Sequence, residues 1–470
     1  MTPPPAPHGP LPTARQLAWH ALETYGFLHF TVNTFTDREW GYGDESPAVF
    51  NPTAFDADRI AADAVAGGLR GLILTCKHHD GFCLWPSRYT EHSVKNSPWR
   101  GGRGDVVREL ADACARHGLK FGTYLSPWDR NHAAYATPAY VTYYRNQLRE
   151  LLTEYGPIFE VWFDGANGGD GYYGGARETR KIDASTYYGW AETHALVREL
   201  QPGACMFSDV GPDIRWVGNE SGYAADVSWA TYTPHGRDGK SPAAGLVQYW
   251  EGETGHRDGQ LWLPAEADVS IRPGWFWHAA EDDAIRSPEN LLDLYFRSVG
   301  RGASFLLNLP PDRRGLIPER DAAALRAFHQ RRTTLFTRNL AREAKLSATH
   351  VRGNDAHYGP ARLVDGAADT YWATDDAVRE ATVELAFDRP VTVNVLELRE
   401  YLPLGQRIDR FALDALDEGG GWRQVVHTAA VGARRLLRLF PVTSPRFRLR
   451  ITHAAAAPAL SHLGLYAGEA

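Results

Sequence analysis

Residues 105–125, DVVRELADACARHGLKFGTYL, hold one full unit of the pattern that builds the first two thirds of this chain. Asp105 is a helix-capping residue type, and Val106, Val107, Leu110, Ala113 and Cys114 then recur on one helical face. Gly118 supplies the stop, and the short apolar run from Phe121 to Leu125 is a strand buried on both sides. The same unit lies upstream. Asp56 caps a helix carrying Ala57, Ile60, Ala61, Ala64 and Val65 on one face, Gly67-Gly68 ends it, and LILTC (72–76) follows as a strand. GFLHFTV (26–32) is the strand before that. Downstream, a helix over about 139–155 leads to IFEVWF (158–163), and another over 184–200 leads to CMFS (205–208). Residues 211–300 give no clear pattern, but ASFLLNL (303–309) is a late strand. Strand–helix alternation with doubly buried strands means a parallel sheet. Five units and a closing strand predict an α/β fold of the β/α-barrel (TIM-like) type, regular or irregular, over an open doubly wound sheet. No GxGxxG follows the first strand, which removes the usual dinucleotide-binding alternative.

The character changes after Arg338. Val383, Leu385 and Phe387, then Val391, Val393 and Val395, then Phe447, Leu449 and Ile451 alternate with polar residues, and Gly, Asp and Pro punctuate the stretch. This predicts an all-β sandwich over 338–470, preceded by the barrel over 17–337 and a disordered proline-rich lead-in over 1–16.

Composition narrows the function. With 50 basic and 57 acidic residues the formal net charge is −7, which argues against a phosphate-tracking surface and hence against nucleic acid as a partner. Mean hydropathy is −0.39, and no apolar run approaches the roughly 18 residues of a spanning helix, so no membrane role is expected. The opening MTPPPAPHGPLPTARQ lacks the basic-then-apolar order of a signal peptide, and the 4 cysteines (76, 83, 114 and 205) form no framework and no CxxC pair. Together these predict a cytoplasmic protein with buried thiols. Of 15 tryptophans only Trp372 and Trp422 lie beyond residue 277, so the barrel is rich in rings able to stack on sugars.

A β/α barrel carries its site at the C-terminal ends of its strands. Those ends here hold His29 and Asn33, then Lys77-His78-His79-Asp80, Ser126-Pro127-Trp128-Asp129, Trp162-Phe163-Asp164-Gly165 and Ser208-Asp209. Five converging ends rich in His, Asp and Trp favour a polyhydroxylated ligand. The segments HFTVNTFTDREWGYG, LTCKHHDGFCLWPS, VWFDGANG, GPDIRWVGNESG, SIRPGWFWH and SVGRGASFLLNLPPDRRGL resemble the α-L-fucosidases of glycoside hydrolase family 29, in family order over roughly residues 17–330. The GPDIRWVGNE form resembles the subgroup cutting α-1,3/1,4-linked fucose. The tail, with LVDGAADTYWAT, GQRIDRFAL and FRLRIT, is similar to discoidin or coagulation-factor-type-C sandwiches, a fold often used to bind carbohydrate.

The resemblance implies a retaining exo-α-L-fucosidase without a cofactor, acting on terminal fucose of oligosaccharides or glycoconjugates. It places the nucleophile on Asp164, where Gly165 lets the chain turn beside a sugar, and the acid/base on Glu220 rather than Asp209, Asp213 or Asp226. The long glycine-rich stretch after Asp164 loosens the alignment to Glu220. His29, His78 and His79 suit hydroxyl groups because neutral imidazoles both donate and accept. Glu39, Trp40, Tyr124, Trp162 and Trp275 match fucose-contacting positions, the tryptophans walling the C5 methyl group. Arg215 is expected to orient Glu220 or bind substrate, with a solvated loop arginine as the other reading. Trp128 and Trp277 are expected to pack behind the site, and His117, Ser126 and Ser208 to be structural. Asp365 and Asp369 form turns, with a calcium site as the lesser reading. Three rival functions stay open: a fucose-binding lectin, a glycosidase for a related sugar such as galactose, and a metal-dependent hydrolase centred on His78, His79 and Asp80. The oligomeric state has no sequence signal.

Overall fold

The computed structural model describes residues 2–468. Eight parallel strands close into a barrel: β1 (Thr24–Leu28), β2 (Gly71–Lys77), β3 (Lys120–Leu125), β4 (Ile158–Trp162), β5 (Cys205–Ser208), β6 (Ile214–Trp216), β7 (Ala265–Ser270) and β8 (Ser304–Asn308). Each pairs with its neighbour in sequence, and β8 returns to β1 with Phe305 opposite Thr24. The outer helices include α1 (Ala57–Ala66), α2 (Val106–His117), α3 (Pro138–Glu154), α4 (Trp190–Leu200), α5 (Pro288–Arg297) and α6 (Glu319–Leu335). Asp56 and Asp105 accept the Arg59 and Arg108 amides as side-chain caps, and Gly118 ends α2 in the left-handed region at φ 73°.

The barrel is irregular where the sequence pattern fails. Residues 209–213 alone connect β5 to β6, with no helix between. Between β6 and β7 there is only a short helix, Tyr249–Thr254, and a ladder pairing residues 231–232 with 261–262. The β7 sequence, AEADVS, hides its strand because Glu266 and Asp268 are buried. The helix expected from residue 184 begins only at Trp190, after a hairpin pairing residues 169–171 with 178–180.

The second unit is an antiparallel β structure: β9 (Lys345–Ala348), β10 (Trp372–Ala373), β11 (Ala381–Glu400), β12 (Ile408–Leu416), β13 (Trp422–Ala429), β14 (Arg435–Ala454) and β15 (Ala459–Tyr466), in the order β10-β15-β11-β14-β12-β13 with β9 also on β11. Register shifts between Ala386 and Val395 bend the long β11/β14 pair. Val383, Leu385, Val393, Phe447, Leu449 and Ile451 share one core with Trp372, Phe411 and Leu413. The unit packs directly on the barrel. Leu436 N–H donates to the Gly300 carbonyl at 2.9 Å, and Arg434 bridges Glu23 before β1 to Glu397 on β11.

Residues 2–13 are not the disordered segment that their composition predicts. They run over the second unit, where Arg352 donates to the carbonyls of Pro3 and Pro4, Arg407 to that of Ala6, and the His8 amide to Leu404 O at 3.0 Å. Prolines cannot donate to a ladder, but their carbonyls accept well from guanidinium groups. Thr13 and Gln16 then form a reciprocal cap on a helix, Ala14–His20, that carries Trp19 beneath the barrel. The Trp19 indole donates to Tyr25 Oη and Glu160 Oε2.

Candidate functional site

A cavity of about 340 Å³ opens at the C-terminal ends of the strands. Going round the barrel, His29 follows β1, His78 and His79 follow β2, Trp162 and Asp164 close β4, and Asp209 follows β5. Trp216 ends β6, Glu220 stands on the next loop, Asp268 belongs to β7, and Trp275 lies on the loop after it; all of these line the cavity. Tyr124 of β3 reaches it through Asp164.

Asp164 is held from two sides. Tyr124 Oη donates to its Oδ2 at 2.8 Å, the Ala166 amide donates to its Oδ1 at 2.7 Å, and His79 Nε2 lies 3.8 Å from Oδ2. Burial and the Asp164 charge push the Tyr124 hydroxyl well above its ordinary range, so it remains a donor. A Cβ at Gly165 would stand 2.5 Å from Asp209 Oδ2 and 3.0 Å from Gly245 N, so only glycine fits beside this carboxylate. Glu220 occupies the mouth, where Trp275 Nε1 donates to its Oε2 at 3.1 Å. Removal from water raises its pKa, and the charges of Asp164 and Glu39 raise it further. The cavity therefore holds a carboxylate fixed by donors and a second carboxyl biased toward its acid form.

His29 and His79 have fixed tautomers. Asn308 Nδ2 donates to Ser270 Oγ and the Trp275 carbonyl, which turns its Oδ1 toward His29 Nδ1 at 2.9 Å. Ser126 donates its hydroxyl to the Trp128 carbonyl, so it accepts from His79 Nδ1 at 2.7 Å. Each ring then carries hydrogen on Nδ1 and offers a bare Nε2. The buried Nδ1 of His78 has no protein partner. Burial lowers all three rings, His29 to about 3, so they are neutral polar groups suited to hydroxyls.

Glu39 lines the cavity and also builds it, because its carboxylate accepts the amides of Trp275 and Phe276 at 2.8 and 3.0 Å. Trp40, half exposed at the rim, meets His79 and Trp128 edge-on. Trp162 is stacked between Phe207 and Tyr124. Trp128 is buried behind the rim, and Trp277 lies off the cavity near Arg313.

Arg215 is corrected: it does not face the cavity. It is fully buried and donates to the carbonyls of Gly252, Trp229 and Leu263, tying together the loops beyond β6. Its place two residues before Val217 on an alternating strand turns it away from the side on which Trp216 lies. Asp80 accepts from Thr31 Oγ and the Phe82 amide, which commits both its oxygens. Among the described residues the donors with metal-like spacing are instead His235, Glu251 and His256. The Thr233 amide donates to His256 Nδ1, so the neutral ring keeps hydrogen on the Nε2 that faces Glu251. Asp365 spends its carboxylate on Ala367 N–H and Thr370 Oγ of its own turn.

The sequence reading passed over Asp268, Trp216 and Tyr249. Asp268 sat inside an unrecognised strand, Trp216 within a motif read for its glutamate, and Tyr249 in the patternless stretch. Asp209 stands at a converging strand end and is the substitute acid of the sequence analysis; burial, with the Asp164 charge adding, raises it to about 7.

The chain is similar to known proteins over nearly its whole length. Residues 14–330 match the family model described as alpha-L-fucosidase. Alpha-L-fucosidase 1 of Arabidopsis thaliana is 43% identical over 470 residues, covering 99% of this chain and 89% of that protein. A crystal structure of a glycoside hydrolase 29 family member from an unknown rumen bacterium is 43% identical with a TM-score of 0.87, covering 99% of this chain and 78% of that one. A Ruminococcus gnavus GH29 fucosidase solved in complex with fucose is 29% identical with a TM-score of 0.88, covering 100% of this chain and 97% of that one.

Proposed function

Since this chain belongs to the α-L-fucosidase family and is a glycoside hydrolase, we propose that it is a retaining exo-enzyme in which Asp164 attacks and Glu220 exchanges the proton. The observation that carries this reading is the pairing of unlike carboxyls across one cavity. Asp164 is fixed by Tyr124 and Ala166, while Glu220 is raised in part by the Asp164 charge. Retaining glycosidases use carboxyls about 5–5.5 Å apart, close enough for such mutual influence.

In the first step Asp164 Oδ attacks the anomeric carbon of a terminal fucose as the glycosidic bond breaks, and Glu220 gives its proton to the departing oxygen. A water then attacks the fucosyl ester, Glu220 takes its proton, and Asp164 leaves as carboxylate. His29, His78 and His79 bind ring hydroxyls through their neutral nitrogens. Trp162 and Trp275, with Phe27, form an apolar wall fit for the methyl group of a 6-deoxy sugar. That wall favours fucose over galactose, which carries a hydroxyl there. A cavity of about 340 Å³, at the small end of ligand pockets, suits cleavage of one terminal sugar.

The RWVGNE segment supports a preference for α-1,3/1,4 linkages in fucosylated glycans, and the β unit is read as a discoidin-like module that braces the barrel. The cytoplasm is the proposed location, and the buried, unpaired cysteines 76, 83, 114 and 205 are in keeping with it. The deciding experiment follows early hydrolysis of α-1,3- and α-1,4-fucosylated trisaccharides by proton NMR beside an aryl fucoside. First-formed α-fucose supports retention; first-formed β-fucose overturns it, and cleavage of the aryl fucoside alone overturns the linkage preference.

A further inference from the structure

Inside the barrel two glutamates meet on strands that do not pair. Glu160 of β4 and Glu266 of β7 are fully buried and within hydrogen-bond reach of each other. Two adjacent carboxylates in such a place repel, and sharing one proton removes the repulsion. The surrounding donors say which carboxyl keeps it. Glu266 accepts at both oxygens: Trp162 Nε1 donates to Oε1 at 2.7 Å, and the Tyr25 hydroxyl donates to Oε2. With its hydrogen so committed, Tyr25 Oη accepts from Trp19 Nε1 at 2.8 Å and from the Ser304 hydroxyl at 3.1 Å. Glu160 Oε2 also accepts from Trp19, at 3.0 Å, but its buried Oε1 finds no donor. A donorless oxygen beside a carboxylate is the place for a proton. Burial and then the Glu266 charge raise Glu160 well above the usual carboxylate range, the direction this requires. Glu160 is thus a neutral acid that gives its hydrogen to an ionised Glu266.

Trp162 is the group this arrangement holds. Its ring is stacked between Phe207 and Tyr124, with centroids 4.0 and 5.4 Å away. Stacking sets the plane of a ring but lets it slide, and an indole has a single N–H with which to fix the rest. Here that N–H goes to Glu266, so the edge of Trp162 is tied across the barrel while its body lines the cavity. A charged acceptor holds a donor more firmly than a neutral one, so the seat of the proton decides how firmly Trp162 is held. We propose that Glu160 and Glu266 hold one proton between them, carried by Glu160, and together act as positioning residues that set Trp162 as a wall of the sugar site. The inference rests on the reading of Trp162 as part of the wall for the fucose methyl group, and adds the device that fixes it.

The test compares an aryl α-L-fucoside with the matching aryl β-D-arabinopyranoside, the same ring without its methyl group. One methyl group in an apolar pocket is worth about 10- to 200-fold in kcat/KM, so the wild type should prefer the fucoside on that order. Glu266→Gln removes the charge and one acceptor, and should cut the preference about ten-fold. Glu160→Gln offers its amide hydrogen to Glu266 and its oxygen to Trp19, as the neutral acid does, and should keep the preference within about two-fold. Glu160→Leu offers neither and should lose what glutamine preserves. If Glu160→Leu does not fold, the two glutamine variants decide; if Glu266→Gln does not fold, Glu266→Asp, which draws the charge back by one methylene, should show the same cut. At neutral pH an infrared difference spectrum of wild type against Glu160→Gln should show the loss of a protonated carboxyl. Loss of an ionised carboxylate there instead, or equal effects of the two glutamine variants, would overturn the shared proton. Equal losses on fucoside and arabinoside in the Glu266 variant would overturn the positioning role. A wild type without preference for the fucoside would strike the methyl wall and the positioning role with it, while the infrared band still decides the proton.

Discussion

Asp164→Ala removes the proposed attacking carboxylate and strands the groups that hold it. Tyr124 Oη loses an acceptor at 2.8 Å and the Ala166 amide one at 2.7 Å. A buried donor left unpaired costs about 1–3 kcal/mol; the amide, beside the open cavity, can turn to water, so the tyrosine carries most of the cost. Against this, losing one negative charge relieves the repulsion that raises Asp209 and Glu220. A net loss of about 1–2 kcal/mol shifts the thermal midpoint by only a few degrees in a chain this long, so the variant folds. Turnover is a different matter. Removing a nucleophile costs about 10⁴- to 10⁶-fold in kcat, or ~5.5–8 kcal/mol at 1.36 kcal/mol per factor of ten. Azide can occupy the vacated space and attack from the same face, giving β-fucosyl azide. The assay is release of a good aryl leaving group with and without azide, with product configuration read by NMR. A folded Asp164→Ala protein within about ten-fold of wild-type turnover would refute the argument, as would azide rescue giving an α product.

Four further outcomes follow from the geometry. Glu220 has a raised pKa, so its acid form persists to higher pH and activity should fall as pH rises through that value; Glu220→Gln should flatten this basic limb and slow poor leaving groups far more than good ones, read from pH–rate profiles on two aryl fucosides. Ser126→Ala leaves His79 Nδ1 without its partner, and kcat/KM should fall about ten-fold while the fold holds; unchanged kcat/KM would refute the assigned tautomer. Arg434→Ala leaves Glu397, and with it Glu23, short of a cation in a buried interface, at a cost of about 3–5 kcal/mol at neutral pH. Because Glu23 is lowered to about 2, the pairing stabilises above the ordinary carboxylate value of 4.5 and is lost as pH falls toward 2, so denaturation midpoints of variant and wild type should converge in acid. Cutting the chain after Arg338 should lower the thermal midpoint and reduce kcat on a small fucoside; unchanged stability with a selective loss on multivalent glycans would mean that the β unit serves targeting instead.

The barrel was legible wherever local rules agreed. Asp105, the apolar stripe of α2, Gly118 and the following strand say the same thing four ways, and the fold obeys them. The reading failed where tertiary burial overrode pattern. Glu266 and Asp268 would have marked β7 as a surface segment, yet Trp162 Nε1 donates to the first and Trp216 to the second, so both lie inside. Most proposed site residues could be named from strand ends and motifs, and the structure brings His29, His78, His79, Asp164 and Glu220 to one cavity. Arg215 could not be placed, because an arginine beside a motif glutamate looks the same whether its partner is a sugar or three carbonyls. The lead-in was misjudged for a related reason. Its order comes from Arg352 and Arg407, more than three hundred residues away, and nothing local records that.

That strap also constrains the order in which the protein can be completed. Residues 2–8 are made more than three hundred residues before the surface they lie on, which includes Arg352, Leu404 and Arg407. The barrel can close once β8 reaches β1, but the opening residues must wait for the β unit. A chain cut after residue 338 should therefore leave residues 2–8 open to protease, and the full chain should protect them. The segment over residues 2–8 acts as a clasp that fastens only once the β unit has formed, and its protection from protease reports whether that unit has folded.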